Sequence, residues 1–157
     1  MPSLTYKSNL GVQVSTATVV IPQTVVSPGT TYFTVAGGYV LITGLIGAFT
    51  VSVGGAVSPN IFFTPTAGGT ANINAGAAIT AFVAGDCLTI DGLLTDAWVP
   101  ASAGHGSTCV MFSKAGLGII CGPGTLGWIT GASVTGNWNW TLWYIPLTSG
   151  ATVLNNV

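Results

Sequence analysis

The chain has 157 residues, 49% of them hydrophobic and 3% charged, with a formal net charge of −1, whereas an ordinary soluble domain carries about 25% charged residues. Its whole ionic inventory is Lys7, Lys114, Asp86, Asp91 and Asp96, with no Arg and no Glu. That excludes a nucleic-acid binder, which neutralises phosphates with many Lys and Arg side chains, and a surface of long solvated helices, which needs Glu, Lys and Arg on its outer face.

One domain is expected at this length. The 23 glycines, together with abundant Thr, Val and Asn, are the vocabulary of strands and turns. The prediction is all-β: an antiparallel β-sandwich or jelly roll of short strands and Gly-rich turns, with little or no helix.

In chain order, Met1 to Gln23 is a candidate N-terminal arm or edge segment, and residues 24–157 form the sandwich domain. The arm contains a first extended run, Val12 to Ile21, stopped at Pro22, and its apolar end makes Val19, Val20 and Ile21 candidates for docking on a partner. Ser27-Pro28-Gly29 marks a turn before Thr31 to Val35. Tyr39 to Ile46 and Ala48 to Val53 follow as two strands, punctuated by Gly37-Gly38 and Gly54-Gly55. The stretch Val35 to Val57 is apolar enough to suggest a membrane helix. Its many glycines, the missing basic flank and the period-two alternation of Phe49, Val51 and Val53 with Ala48, Thr50 and Ser52 argue against one.

Ile61 to Thr64, Thr70 to Asn74, Ala78 to Val83 and Leu88 to Ile90 are the next strands. Trp98 to Gly106 reads as irregular. Thr108 to Phe112, Leu117 to Cys121, Gly127 to Thr130 and Asn137 to Ile145 complete a set spaced as in sandwiches and jelly rolls. In the last of these, strand periodicity puts Trp138, Trp140, Leu142 and Tyr144 on one face, and Asn139, Thr141, Trp143 and Ile145 on the other. A strand apolar on both sides is covered on both sides. Trp138, Trp140, Trp143 and Tyr144 are therefore the candidate core or oligomer-interface residues.

The chain offers little chemistry. His105 is the only histidine and lies in the glycine-flanked Ala103-Gly104-His105-Gly106-Ser107. A triad of His105 and Asp96 with Ser107 or Cys109 is crowded in sequence and lacks a nucleophile-elbow pattern, so His105 reads as a loop residue. Asp86, Asp91 and Asp96 recur every five residues without the spacing of a calcium loop, and Gly85-Asp86 and Asp91-Gly92 read as turns. Gly122-Pro123-Gly124 is no phosphate cradle. Cys87, Cys109 and Cys121 have neither zinc spacing nor histidine partners. The expectation for them is three buried thiols, the alternative one disulfide with a leftover thiol. No enzyme, cofactor, metal site or small-molecule substrate is expected.

A surface with so little charge gives little colloidal repulsion, and edge strands with few lysines are poorly guarded. Both favour a subunit made to be packed. The residues from Tyr32 to Gly47 (Tyr-Phe-Thr-Val-Ala-Gly-Gly-Tyr-Val-Leu-Ile-Thr-Gly-Leu-Ile-Gly), Asp96-Ala97-Trp98-Val99, and Trp140 to Leu147 with Gly150-Ala151 resemble a group of small virion proteins of tailed bacteriophages. The resemblance runs over most of the chain from about Ile21. Members of that group carry more charge, including an acidic residue after the segment that ends here at Gly47, where this chain has Ala48.

The resemblance implies a particle component, made in the host bacterial cytoplasm and incorporated into the virion. Met1 to Lys7, with one positive charge and no apolar stretch, fits synthesis without export. The near absence of basic residues argues against the inner shell wall, which faces packed DNA. The expected function is a capsid decoration or cement protein on the outside of the phage head. It would be a homotrimer whose partners are the major capsid protein and itself, with no nucleic acid and no membrane, and an interface of about 1,600 Å² would hold it. The alternative is a tail fibre-tip or receptor-binding module that stacks a host glycan on Trp98 or Trp128. A non-viral adhesin ranks below both.

Overall fold

Short alternating runs separated by glycine turns close into two antiparallel sheets rather than one, because the long strands are apolar on the side that meets the other sheet. The computed structural model describes residues 13–20, 30–56, 58–76, 78–79, 82–90, 98–100, 118–130 and 135–156, with 13–20, 90 and 98–100 described by their backbone alone. The strands are β1 (Gln13–Val20), β2 (Thr30–Ala36), β3 (Val40–Val51), β4 (Asn60–Pro65), β5 (Ala71–Asn72), β6 (Cys87–Ile90), β7 (Trp98–Pro100), β8 (Ile119–Cys121), β9 (Gly124–Ile129), β10 (Asn137–Pro146) and β11 (Thr152–Asn155). No helix occurs among the described residues. The all-β reading therefore holds.

Sheet A runs β1-β10-β3-β6-β7, and sheet B runs β11-β2-β9-β4-β5. β10 pairs along the length of β3 on one edge, while the other edge of β3 is shared: β8 takes Val40 to Ile42 and β6 takes Ile46 to Ala48. In the gap between them the carbonyl of Leu45 accepts a hydrogen bond from the Thr89 hydroxyl, 2.9 Å away, and Thr89 is wholly buried.

Several boundaries differ from expectation. Tyr39 to Ile46 and Ala48 to Val53 are one strand, β3, running through Gly47. Gly47 does not break the strand. It lies opposite Trp140, and a Cβ there would sit 2.9 Å from the Trp140 ring, so glycine is present to seat the indole. Ala78 to Val83 has no strand among its described residues. The backbone turns instead, with Gly85 at φ 98° and the Val83 N–H donating to the Asp86 carboxylate at 2.8 Å. Trp98 to Pro100, expected to be irregular, is β7, where Pro100 is tolerated because β7 is the sheet edge. β11 went unforeseen. The run from Thr108 to Phe112 and the turn Ser27-Pro28-Gly29 lie outside the described residues.

The cysteine expectation is corrected. Cys87 is disulfide-bonded and Cys121 is a free, buried thiol; the other half of the disulfide lies outside the described residues. The reason is position. Cys87 pairs with Ala48, one step out of phase with the inward-facing Leu88, so it sits on the outer side of sheet A and not between the sheets.

Candidate interface surface

The two faces of β10 do different work. Trp138, Trp140, Leu142 and Tyr144 are buried, whereas Asn139 is exposed and Thr141, Trp143 and Ile145 are half-buried. The inward tryptophans meet sheet B directly. Trp128 of β9 lies 4.6 Å from Trp138 and 5.2 Å from Trp140, centroid to centroid, and Tyr32 of β2 stacks on Trp140 at 6.2 Å. Phe49 sits edge-on to Trp138 at 5.0 Å. Such contacts add to the area these rings bury. Three of the four aromatic residues singled out in this strand, Trp138, Trp140 and Tyr144, are thus core, and Trp143 alone faces outward.

Antiparallel register places directly opposed residues on one face. On the outer side of sheet A, Ile145 of β10 opposes Leu41 of β3, which opposes Ile120 of β8. This aliphatic row crosses three strands and ends on Ile120, which is 65% exposed. At the same end of the sheet, Tyr39 (57%) and Leu147 (51%) are exposed and tied together by a hydrogen bond from the Leu147 N–H to the Tyr39 carbonyl. The tight turn beside them uses Gly37 at φ 73°, packed against the Gly150 backbone, a place no side chain fits.

The outer side of sheet B is unlike this. Thr34, Thr125 and Thr64 form a cross-strand row over β2, β9 and β4. Two of its members bond their neighbours: the Asn156 amide donates to the Thr34 hydroxyl at 2.7 Å, and Thr64 and Thr70 share a 2.7 Å hydroxyl bond. The large buried residue on that side, Phe62, lies over Gly127.

The remaining candidates fall as follows. Val19 and Val20 belong to β1 and pair with Trp138 and Asn137, so the segment from Gln13 to Val20 is an edge strand of sheet A; Ile21 lies outside the described residues. Asp86 is buried and its carboxylate holds a turn. Asp91, Asp96, His105, Ser107 and Cys109 lie outside the described residues. Among the described residues no group of three metal-ligating side chains occurs, and no helix is long and apolar enough to cross a membrane. Burial pushes the Cys121 thiol up to about 12 and raises Tyr32 well above the usual tyrosine value. Both are therefore neutral packing groups near pH 7.

The aliphatic row was only half legible in the sequence. Alternation assigned Ile145 and Trp143 to one face, but no local pattern says that Leu41 and Ile120, 79 positions apart, lie beside each other.

No protein-family model, curated protein or solved structure matches the chain.

Proposed function

We propose that the chain is a virion structural protein of a tailed bacteriophage, a decoration or cement protein that binds the outside of the head as a homotrimer and stabilises the shell. The observation that carries this reading is the strand order. With β7, β8 and β11 set aside, the sheets run β1-β10-β3-β6 and β2-β9-β4-β5, an order that supports the jelly-roll reading, an architecture used by viral capsid and lectin domains. It is built here from a chain with two cationic and three anionic side chains. A surface of that kind favours contact with other protein over DNA. Many copies bound to the assembled shell, and not to its separated subunits, would stabilise it by mass action without a catalytic group.

The tail-tip alternative loses one of its two tryptophans, since Trp128 is fully buried and cannot stack a sugar; the Trp98 side chain is outside the described residues. Quantitative mass spectrometry of purified particles tests both. A copy number within a few-fold of the major shell protein supports decoration, a handful of copies per particle supports a tail or vertex position, and absence from particles overturns both.

A further inference from the structure

We propose that a second copy of this chain seats on the outer face of sheet A, over the row Ile145–Leu41–Ile120 with Tyr39 and Leu147 at its end. The inference rests on the reading of the chain as a self-assembling subunit and names the surface that does it. Three aliphatic side chains in cross-strand register, finishing on a residue that is 65% exposed beside a tyrosine and a leucine each more than half exposed, make a contiguous apolar area of the kind that marks interaction sites. The opposite outer face carries a threonine row, two of whose members bond their neighbours, and one exposed leucine, Leu154, set against Thr34 rather than in an aliphatic row.

The choice of occupant follows from charge and from the edge. No described residue in or beside the row carries a charge at neutral pH, and the one described carboxylate belongs to Asp86, whose backbone carbonyl accepts from the Phe49 N–H toward the far end of β3. A charged partner would give up its hydration here with nothing to pair against. A second copy brings a matching uncharged surface and, at net charge −1, almost no repulsion. The row also runs out to β8, which among the described residues pairs with β3 alone and has no Lys or Pro within it to guard its edge. A row that meets itself across a two-fold axis closes at two copies, and a row that meets a different patch of its neighbour closes as a larger ring, so contact about a rotation axis stops at a finite assembly.

The test is the solution mass of the purified full chain, by light scattering and sedimentation equilibrium across the micromolar range. The expected result is a small integer multiple of 15.7 kDa, reduced to the single-chain mass by Ile120→Lys. Leu154→Lys, also more than half exposed but on the outer side of sheet B, should keep the wild-type mass. Tyr39→Lys repeats the test should Ile120→Lys lose the wild-type circular dichroism spectrum. A wild-type chain that is single at all concentrations overturns the inference, as does assembly that survives both row variants or that Leu154→Lys disrupts equally. Copy number in particles is a separate readout. A chain that assembles but is absent from particles leaves this surface standing and removes the virion reading. A single chain abundant on heads does the reverse, and gives the row to the shell protein.

Discussion

Trp128 of β9 and Trp138 of β10 meet across the two sheets with ring centroids 4.6 Å apart and planes inclined at 58°. Each is wholly buried, and each comes from a central strand of its own sheet. The sandwich is therefore closed by aromatic contact between sheets and not only by aliphatic filling. Trp128→Ala should cost about 3–5 kcal/mol, a large share of the roughly 5–15 kcal/mol that holds a typical domain folded. Urea unfolding monitored by circular dichroism reads this, with Trp128→Phe losing clearly less. A loss below about 1 kcal/mol for the alanine variant would mean that the sheets close without this contact.

Gly47 and Trp140 should behave as a coupled pair. A methyl group at position 47 would lie 2.9 Å from two ring carbons of Trp140, and that ring, only 1% exposed and stacked on Tyr32, has little room to yield. Gly47→Ala is expected to destabilise by about 1–3 kcal/mol, the usual range for overpacking. In a Trp140→Leu background the same change should cost distinctly less, and a double-mutant cycle measures the difference. Equal costs in the two backgrounds would show that Gly47 is needed for its backbone alone.

Thr89 supports β3 through its hydroxyl. Thr89→Val keeps the shape and removes the donor to the Leu45 carbonyl, leaving a buried acceptor unmet at about 1–3 kcal/mol. Thr89→Ser should recover most of that loss. Equilibrium unfolding of the two variants side by side separates the hydrogen bond from the packing.

Stability should fall as the solution becomes alkaline. Burial holds Cys121 protonated, moving it from 9.0 to about 12, and raises Tyr32 in the same direction. Above pH 9 the unfolded chain releases protons that the native chain keeps, so the contribution of these groups is complete below pH 9 and is lost as pH rises toward 12. The urea midpoint should therefore decline over that interval, and Cys121→Ala should flatten part of the decline. The same burial predicts that a thiol reagent at neutral pH modifies Cys121 only after unfolding.

Fold class was legible because period-two alternation and glycine turns are local signals, and the inward face of β10 could be read directly from Trp138, Trp140, Leu142 and Tyr144. What could not be read depends on neighbours distant in sequence. Gly47 looked like punctuation because Trp140, the residue that requires it, lies more than ninety positions away. The end of the run Ala78 to Val83 looked like a strand because its apolar content was visible, while the hydrogen bond from Val83 to Asp86 that turns the backbone there was not. Both described cysteines are buried, as cysteine usually is, but only the register against Ala48 puts Cys87 on the outer side of sheet A.

β10 lies between β1 and β3, although it comes tenth among the described strands in chain order. Until residue 146 has been made, β1 has no strand to bond and β3 carries a bare edge where ten residues will later pair. Sheet A can therefore pair β3 with β6 and β8, and β6 with β7, during translation, but its β1-β10-β3 half must wait for β10. The nascent chain must carry β1 and one edge of β3 unpaired for most of synthesis and then close around one late arrival, a sequence of events that makes folding slow and exposes it to misassociation. In the cell, the yield of this protein should depend on holding the unfinished chain apart from its copies until that strand arrives.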